Sequence, residues 1–577
     1  GEEHFIQFSH PDHVKSLKEM GVEDIGLFGR FLQGANNWLR RSFTTLNPEF
    51  VLTNFSRDIQ SAVLNAIAET DMPGGQVSGR SDMVQKMVKR VPQTLKALMQ
   101  EEVRGKDSAL SQYYAEFKED GGKTVWAYAK SLSERKAEIE NSLRGSEFKG
   151  KGFLNLLEGV NDAVENSIRL AAYIEAREAG VTREKAAQLA KNITVNFNKS
   201  GELGPVFNSL FLFFNASVQG SARTVRSLKS PKVQKALGLM ALSAGMLDMA
   251  NRGMSGEDPE DGVLWYDKIS PYKKERSIII MTGTGPDDYI AIPLPYGFGA
   301  FWNVGTAMSN VANGAMSPDE ALAFTGRSVV TNFSPVQLGE SDNPDINAVR
   351  AITPTVLTPL LDRAVNESYY GGKVYREQLP GSRPKQEYEV AYRSPRPAIE
   401  AARAVNVATG GSPDVPGQID YNPDKDWYFL DFAMGSAGKT AVRTAQLARD
   451  VVTGAPIKTK NVPFARVLVG SAQEDAYSYD IDRFEANRVE VEQLFNEYKS
   501  ESKKDPEPGR YTGILDLKGE LQFALRLLKE KRRELREAQD IENYTERSKA
   551  IQDIREAQRK IMAQFNKEYN RVRKEKD

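Results

Sequence analysis

An uncharged stretch of twenty residues, from Leu203 to Ala222, constrains the fold of this chain more than any other feature of its sequence. As a helix, twenty residues at 1.5 Å each span about 30 Å, which is enough to cross a bilayer. The apolar centre of the stretch consists of Phe207, Leu210, Phe211, Leu212, Phe213 and Phe214. Amide and hydroxyl side chains interrupt it, among them Asn208, Ser209, Asn215, Ser217 and Gln219, and each would need a hydrogen-bond partner in lipid. The sequence therefore favours a buried helix in an all-helical body, and it leaves open a membrane-inserted helix whose neighbours satisfy these groups.

Two further segments are rich in apolar residues. A helix predicted from Leu237 to Ala250 contains three methionines and has about 14 residues, which suits core packing better than a membrane span. The segment from Tyr289 to Pro318 has no charged residue, and its small residues permit close helix packing, preferably in a core and otherwise against membrane helices. The candidate contacts with membrane or partner helices in the two uncharged stretches are Phe207, Leu210, Phe211, Phe213, Phe214, Phe298, Phe301 and Trp302.

The charge balance limits the partners of the chain. Its 577 residues include 77 basic and 78 acidic residues, and the formal charge is −1. Because affinity for duplex DNA scales with the phosphates neutralised, this balance excludes a strongly basic protein that coats nucleic acid, although a local basic stripe remains open. Ion pairing at the rim of a helical core is the simplest role for the arginines beside the apolar segments. The alternative role, contact with DNA phosphate, has as its candidates Arg40, Arg41, Arg57, Arg223 and Arg226.

Residue types that carry out reactions are sparse. Cysteine is absent, which excludes disulfides and thiolate sites, and His4, His10 and His13 have no further histidine to complete a metal set. The segment from Met434 to Thr440 echoes a phosphate-binding loop, but Ala433 stands where the first glycine is required and no β-branched strand precedes it. The sequence therefore predicts no catalytic, cofactor or metal site, and a structural or translocating protein rather than an enzyme.

The apolar periodicity predicts a mainly all-α fold, an elongated or bundled assembly of many helices with one small β-hairpin and long C-terminal helices. Two β-rich runs, from Arg276 to Met281 and from Asp288 to Ile292, flank a Gly/Pro turn and form the hairpin. Near the C-terminus, heptad-like seams predict either a long antiparallel helical hairpin or a helix shared with a partner. The candidate oligomerisation residues in these seams are Leu517, Leu521, Leu528, Met562, Phe565 and Tyr569.

Composition shifts divide the chain into five predicted regions. They are an N-terminal helical region at 1–150, a central helical module with the apolar helices and the hairpin at 151–333, a proline-rich wrapping arm at 334–426, a helical region at 427–513, and a C-terminal helical hairpin or coiled coil at 514–577. Gly1 stands where an initiating methionine would be expected, so we expect this chain to be part of a longer protein.

Four groups of short strings follow one another between about residues 30 and 380. They are Asn36–Arg40 with Thr45–Phe50 and Asn54–Asp58, then Thr194–Gly201 with Phe213–Ala216 and Gln219–Gly220, then Ile292–Gly297, and finally Asn366–Glu367 with Gly371–Gly372. In this order they resemble a module of the large polyvalent proteins of bacteriophages, and in particular the largest internal core protein of autographivirus-like short-tailed phages.

The resemblance implies a protein stored inside the virion and ejected into the host envelope, where it helps to form a channel for genome translocation. The partners implied are other internal core or ejection proteins, the portal, further copies of the chain, the host inner membrane and the DNA that passes through. A cell-wall-cleaving transglycosylase domain can sit at the far N-terminus in that family, but nothing in this chain matches its motif. The alternatives are a soluble scaffold of the portal-associated core and a fragment of an injected enzyme whose catalytic domain lies elsewhere.

Overall fold

The computed structural model describes residues 26–123, 153–194, 204–285, 288–336, 338–339, 341, 343–376, 386–391, 394–412, 415–457, 461–501 and 513–574. Within these residues the chain forms twenty α-helices and one small antiparallel sheet of three strands, which confirms the mainly all-α prediction. The three histidines lie outside the described residues, as does most of the string Thr194–Gly201.

The elements are numbered in chain order. The first are α1 (Gly26–Phe43), α2 (Pro48–Asp71), α3 (Asp82–Leu98, continued by a π-helical turn, Met99–Val103), α4 (Ser111–Glu119), α5 (Phe153–Glu178), α6 (Arg183–Ile193), α7 (Gly204–Leu210) and α8 (Phe214–Ser227). The next are α9 (Pro231–Met254), α10 (Pro271–Arg276), β1 (Ser277–Met281), β2 (Asp288–Pro293), α11 (Phe298–Ala312) and α12 (Pro318–Phe333). The last are α13 (Pro344–Ile352), the 3-10 turn Thr355–Leu357, α14 (Thr358–Val365), the 3-10 turn Glu387–Glu389, α15 (Arg396–Ala408), α16 (Asp424–Thr453), α17 (Ala465–Leu468), β3 (Val469–Ser471), α18 (Ala472–Glu501), α19 (Ile514–Gln539) and α20 (Tyr544–Lys574).

The chain divides into two compact units. Unit one comprises Gly1–Lys235 and Val329–Lys439, and unit two comprises Ala236–Ser328 and Thr440–Asp577. Each unit is therefore built from two separate stretches of sequence. In the predicted proline-rich arm, the described residues include the helices α13, α14 and α15.

Helix α5 forms the centre of unit one. Every residue from 163 to 176 is buried, so this part of the helix is covered on all sides. Charged side chains are tolerated there because they are paired: Arg169 bonds to Glu165 at 2.6 Å, and Arg90 from α3 bonds to Glu175. The core around α5 is completed by residues of α2, α3, α4 and α6, among them Ala66, Met87, Leu98, Phe117 and Leu189.

The uncharged stretch of unit one is two short helices, so the prediction of one continuous helix is wrong. Phe213, between α7 and α8, has a left-handed backbone with φ of 58°. The polar side chains redirect the backbone hydrogen bonds, since Asn208 Oδ1 accepts from the Asn215 amide at 3.1 Å and Thr355 Oγ1 accepts from the Leu212 amide at 3.1 Å. One interrupting residue, Asn208, thus holds the backbone at the start of α8, and Thr355 holds it at the bend.

Unit two contains the sheet and a three-helix bundle. The predicted hairpin is confirmed, with Ile279 opposite Ala291 in the β1–β2 ladder. Strand β3 pairs with the other edge of β2, with Gly470 opposite Tyr289, and the sequence analysis did not anticipate it. A side chain at residue 470 would meet the Tyr289 ring at 2.2 Å, so glycine is required for this pairing. Helices α18, α19 and α20 pack around Phe484, whose ring meets that of Phe565 edge-on at 5.3 Å.

Candidate functional site

The predicted contact residues of the first uncharged stretch lie inside unit one. The rings of Phe207 and Phe214 stack with centroids 4.8 Å apart, and Phe211 packs beside both at 6.3 to 6.4 Å. Phe211 is buried, while Leu210 and Phe213 are partly buried. The cluster fills the bend between α7 and α8, so its first role is to hold that bend.

The aromatic residues of the second stretch lie inside unit two. Phe298 and Trp302 are buried and Phe301 is partly buried on α11. Helix α11 crosses α9 at close range, because a side chain at Gly305 would come within 1.7 Å of the Ala241 carbonyl oxygen. This confirms the close packing expected from the small residues, here within a protein core. None of the helices in the described part of the chain is both long enough and apolar enough to span a bilayer.

Of the two predicted phosphate contacts on α1, Arg40 is turned into the protein. Arg40 is buried, and its guanidinium donates to the Asn208 carbonyl oxygen and to Asn37 Oδ1, the latter at 3.2 Å. Arg41 is partly buried. Arg40 therefore fastens α1 to the end of α7, and its charge is directed at backbone oxygen rather than at solvent.

The two arginines of α8 differ in exposure. Arg223 is mostly buried and pairs with Glu69 of α2 at 2.8 Å. Arg226 has a side chain 55 % exposed and lies 4.0 Å from the same carboxylate. Of these two, only Arg226 offers a cation to an external anion in the folded chain.

Arg57 and its neighbour Asp58 are partly buried on α2. Burial raises the pKa of Asp58 to about 7, and the nearby Glu165 carboxylate adds to the effect, whereas Arg169 and Arg57 oppose it. Asn54 Nδ2 donates to Asp58 Oδ2 at 2.8 Å. Arg57 is thus one of the charges that act on the carboxyl group of Asp58, and ion pairing of Arg57 stays a prediction.

The C-terminal seam residues are buried within one chain. Leu517, Leu521 and Leu528 of α19 face Met562, Phe565 and Tyr569 of α20, and all six belong to the core of the three-helix bundle. Of the two arrangements left open by the sequence, the described structure contains the antiparallel hairpin, closed by a third helix, α18.

The segment that echoes a phosphate-binding loop is part of α16. Gly435 interrupts the helix with φ of 60° and ψ of −158°. Ser42 Oγ donates to the Met434 carbonyl oxygen at 2.7 Å, and Lys439 pairs with Asp431 at 3.0 Å. Since a side chain at residue 435 would meet Ser42 Oγ at 2.4 Å, the glycine serves packing against α1.

A cluster of buried charges in unit two was not predicted from the sequence. We call it the Lys268 cluster, and it consists of Lys268, Asp258, Asp261, Asp480 and Arg559. The Lys268 ammonium lies 2.7 Å from Asp258, 2.8 Å from Asp261 and 3.0 Å from Asp480. Arg559 of α20 bonds to Asp480 of α18 at 3.1 Å and also to Asp258. The cluster joins the loop after α9 to two helices of the bundle.

The carboxylates and the ammonium group of the Lys268 cluster stabilise one another in their charged forms. Burial raises the pKa of Asp480 to about 6, against the opposing effect of Lys268. Burial also acts to raise the pKa of Asp258, but its hydrogen bonds, chiefly from Lys268, bring the net shift below the ordinary value. For Lys268, burial opposes the charge and the three carboxylates outweigh it, so its pKa is raised. The ammonium occupies the position that a bound cation would need.

Metal-ligand geometry and two small cavities are further features of the described residues. Among the described residues, no group of three or more acidic or histidine side chains is arranged to hold a metal ion. Two cavities, each of about 10 Å³, are the size of roughly one water molecule. One lies in unit one beside Phe211 and Arg350, and the other lies in unit two beside Asp248 and Lys274.

One exposed surface also escaped the sequence analysis. Helix α9 was expected to serve core packing, and Leu237 and Ala244 do so. Its opposite face, however, exposes the large apolar side chains Leu239, Leu242, Met246 and Met249. The signal was present in the sequence, because α9 is apolar all round and such a helix is normally covered on all sides.

Fold and site together define a mainly helical protein in which several buried charged side chains, such as Arg169 in unit one and Lys268 in unit two, form ion pairs within their own unit. Residues 264–465 match the family model described as large polyvalent protein associated domain 38. This part of the chain therefore carries a module of the phage large polyvalent proteins, as the resemblance predicted. The strings at 292–297 and 366–372 fall inside the match, whereas those at 36–58 and 194–220 precede it. No curated protein and no solved structure matches the chain.

Proposed function

We propose that this chain is part of an internal virion protein of a phage, packaged in the capsid and delivered with the genome at infection. In the host envelope its helices would form part of the wall of the channel through which the DNA passes. The observation that carries the proposal is the match of residues 264–465 to a large polyvalent protein associated domain within a mainly helical body. Its partners would be further copies of the chain, other internal core proteins and the portal.

The physical properties of the chain support delivery through a narrow passage. A protein that passes through a portal must unfold and refold, and the chain has no cysteine whose disulfides would resist unfolding. Helical bundles form largely through local contacts, which makes refolding fast compared with extended β topologies. Only one three-stranded sheet is present among the described residues.

The proposal is tested in purified phage particles. The chain should be present in intact virions and protected from added protease until the capsid is opened, because it is stored inside. After adsorption to host cells, it should leave the particle and appear in the envelope fraction. A protein that remains with the empty capsid after genome release would instead be a scaffold of the portal-associated core. A protein absent from virions would contradict both roles.

Contact with the membrane is tested separately by flotation of the purified chain with liposomes. Because Phe211 is buried, its replacement by aspartate reports on folding as well as on lipid binding. Leu242→Asp is the more informative variant, since that side chain is 58 % exposed. Wall-hydrolysis and nucleotide-hydrolysis assays on the full-length protein distinguish the alternative of an injected enzyme, for which activity would be found.

A further inference from the structure

A heptad seam runs along the exposed face of α9. Its members recur at alternating spacings of three and four residues, and they are Lys232, Lys235, Leu239, Leu242, Met246, Met249 and Gly253. We call this set the α9 seam. The four apolar side chains in its middle are 47 to 66 % exposed. Such spacing is characteristic of helices that pair with another helix.

The α9 seam is separate from the face by which α9 enters its own core. Val233, Leu237 and Ala244 form the buried face. Between Lys235 and Arg252 the only charged residue of the helix is Asp248, which is buried and accepts hydrogen bonds from Tyr266 and Ser309. The outer face thus exposes apolar and small residues over about four turns, where a monomeric protein normally places charges.

We infer that α9 pairs with the α9 of a second copy of this chain, in antiparallel orientation, through the α9 seam. The charges favour this partner. The exposed Lys235 lies at the N-terminal end of the seam, preceded by Lys232, which is exposed and pairs with Asp71 at 3.2 Å, and the exposed Glu257 follows the C-terminal end. Antiparallel pairing places these lysines beside the partner helix's C-terminal end and Glu257, whereas parallel pairing places lysines against lysines.

The seam is also complementary to itself in shape. In antiparallel coiled coils the two kinds of heptad position alternate across the interface, so Leu239 meets Met249 of the second copy and Leu242 meets its Met246. Twofold symmetry forms each of these pairs twice. Exposed residues beside the seam are small, namely Gly238, Ser243 and Ala250, and they permit close approach of the second helix. A helix that binds lipid would instead carry cations along its flanks.

This pairing goes beyond the proposed function, because it does not depend on where the protein is stored or delivered. It also differs from oligomerisation through the C-terminal seams, whose side chains are buried within one chain. The inference supplies a surface for self-association that remains exposed in the folded chain.

Sedimentation of the 577-residue chain over a range of concentrations tests the inference. We expect a monomer–dimer equilibrium, and we expect Leu242→Glu to raise the dimer Kd at least about tenfold, since both copies bring a charge into the seam. Leu322→Glu on α12 is the matched control, because that leucine is 74 % exposed and lies outside the seam. A chain that stays monomeric, or a dimer that Leu242→Glu leaves intact, would overturn the inference.

Cysteine cross-linking tests the orientation without background, because the natural chain has no cysteine. A mixture of Leu239→Cys and Met249→Cys chains should form disulfide-linked dimers. Leu239→Cys alone should not, since antiparallel pairing separates its two copies by about 15 Å along the helix axis, beyond disulfide reach. Efficient self-linking of Leu239→Cys would overturn the antiparallel arrangement.

Charge reversal provides an independent test of the antiparallel pairing. Lys235→Glu and Glu257→Lys should each weaken the dimer several-fold, and the double variant should recover most of the loss. A monomer whose liposome binding is lost with Leu242→Glu would overturn the inference in favour of a lipid surface. An intact dimer that is absent from virions would instead contradict only the proposed function.

Discussion

Lys268 is a charged residue with a completely buried side chain, and its position is stable only because three aspartates surround it. Taking an ammonium out of water costs several kcal/mol, which the paired carboxylates must offset. Its partners Asp258 and Asp480 lie 10 and 212 residues away along the chain. Motif reasoning looks for charges at short spacings, so only the folded chain brings this cluster together.

Replacement of Lys268 by methionine should strongly destabilise unit two. The variant leaves three buried carboxylates without their common cation, and we expect a loss of about 3 to 5 kcal/mol in the free energy of unfolding. Lys273→Met is the matched control, because Lys273 pairs with Asp475 at 2.9 Å but is 42 % exposed. It should cost less than about 1 kcal/mol. Urea unfolding followed by circular dichroism measures both, and equal losses would contradict the structural role of the cluster.

Asp58 should make unit one less stable as the pH rises. Its pKa of about 7 in the folded chain exceeds the ordinary value of 3.8, so the folded state holds an extra proton between these pH values. Its contribution to stability therefore falls as the pH rises from about 4 to about 7, and it is constant above that. Asp58→Asn should remove this dependence and be more stable than the natural chain at pH 7.5, while matching it near pH 4.

The gain in the free energy of unfolding of Asp58→Asn has an upper bound of about 1.4 kcal/mol per unit of pKa shift. Asp82→Asn is the control, because Asp82 is exposed and its hydrogen bond with Lys86 lowers its pKa. A pKa that is lowered in the folded chain contributes stability that is lost as the pH falls. Asp82→Asn should therefore be no more stable than the natural chain at neutral pH. Unfolding curves at several pH values would contradict the assignment if the two variants behaved alike.

At the scale of elements, the crossing of α9 and α11 depends on one glycine. Gly305→Ala places a methyl group within 1.7 Å of the Ala241 carbonyl oxygen, so the helices must move apart. We expect a loss of about 1 to 3 kcal/mol from overpacking. Gly326→Ala on α12 meets nothing within 4 Å and should stabilise the chain by about 0.5 to 1 kcal/mol. If the crossing is as described, the melting temperature falls for Gly305→Ala and rises for Gly326→Ala.

The closed bundle of α18, α19 and α20 gives a second prediction. Leu521 is fully buried in its core, and Leu521→Asp should cost more than about 3 kcal/mol because an unpaired charge enters an apolar site. Leu515→Asp on the same helix should change stability by no more than about 0.5 kcal/mol, since Leu515 is 56 % exposed. Hydrogen exchange of the bundle amides measures the difference. Full protection in the Leu521→Asp chain would contradict the packing described.

Elements were predictable where the local pattern decides them. Asn47 and Pro48 begin α2, because Asn47 accepts a hydrogen bond from the Glu49 amide and proline is favoured at the first helical position. Strand β3 was missed because three residues including Gly470 carry little β signal. Its pairing depends on the edge that β2 presents, which is a tertiary property.

At the scale of the whole molecule, the two compact units should unfold separately. Each has its own core, and compact units of this kind behave as cooperative blocks. Lys268→Met should shift one transition in a calorimetric scan, and Asp58→Asn should shift the other, because these residues belong to different units. A single transition that moves as a whole with either variant would show that the units unfold together.

The sequence by itself determined the helical class, the hairpin and the module, because periodicity, turn residues and short strings are local properties. Tertiary structure decided which faces are covered. It buried the predicted contact residues Phe211 and Trp302, turned Arg40 inward and left the α9 seam exposed. Burial depends on which segments meet, and segments hundreds of residues apart meet only in the folded chain.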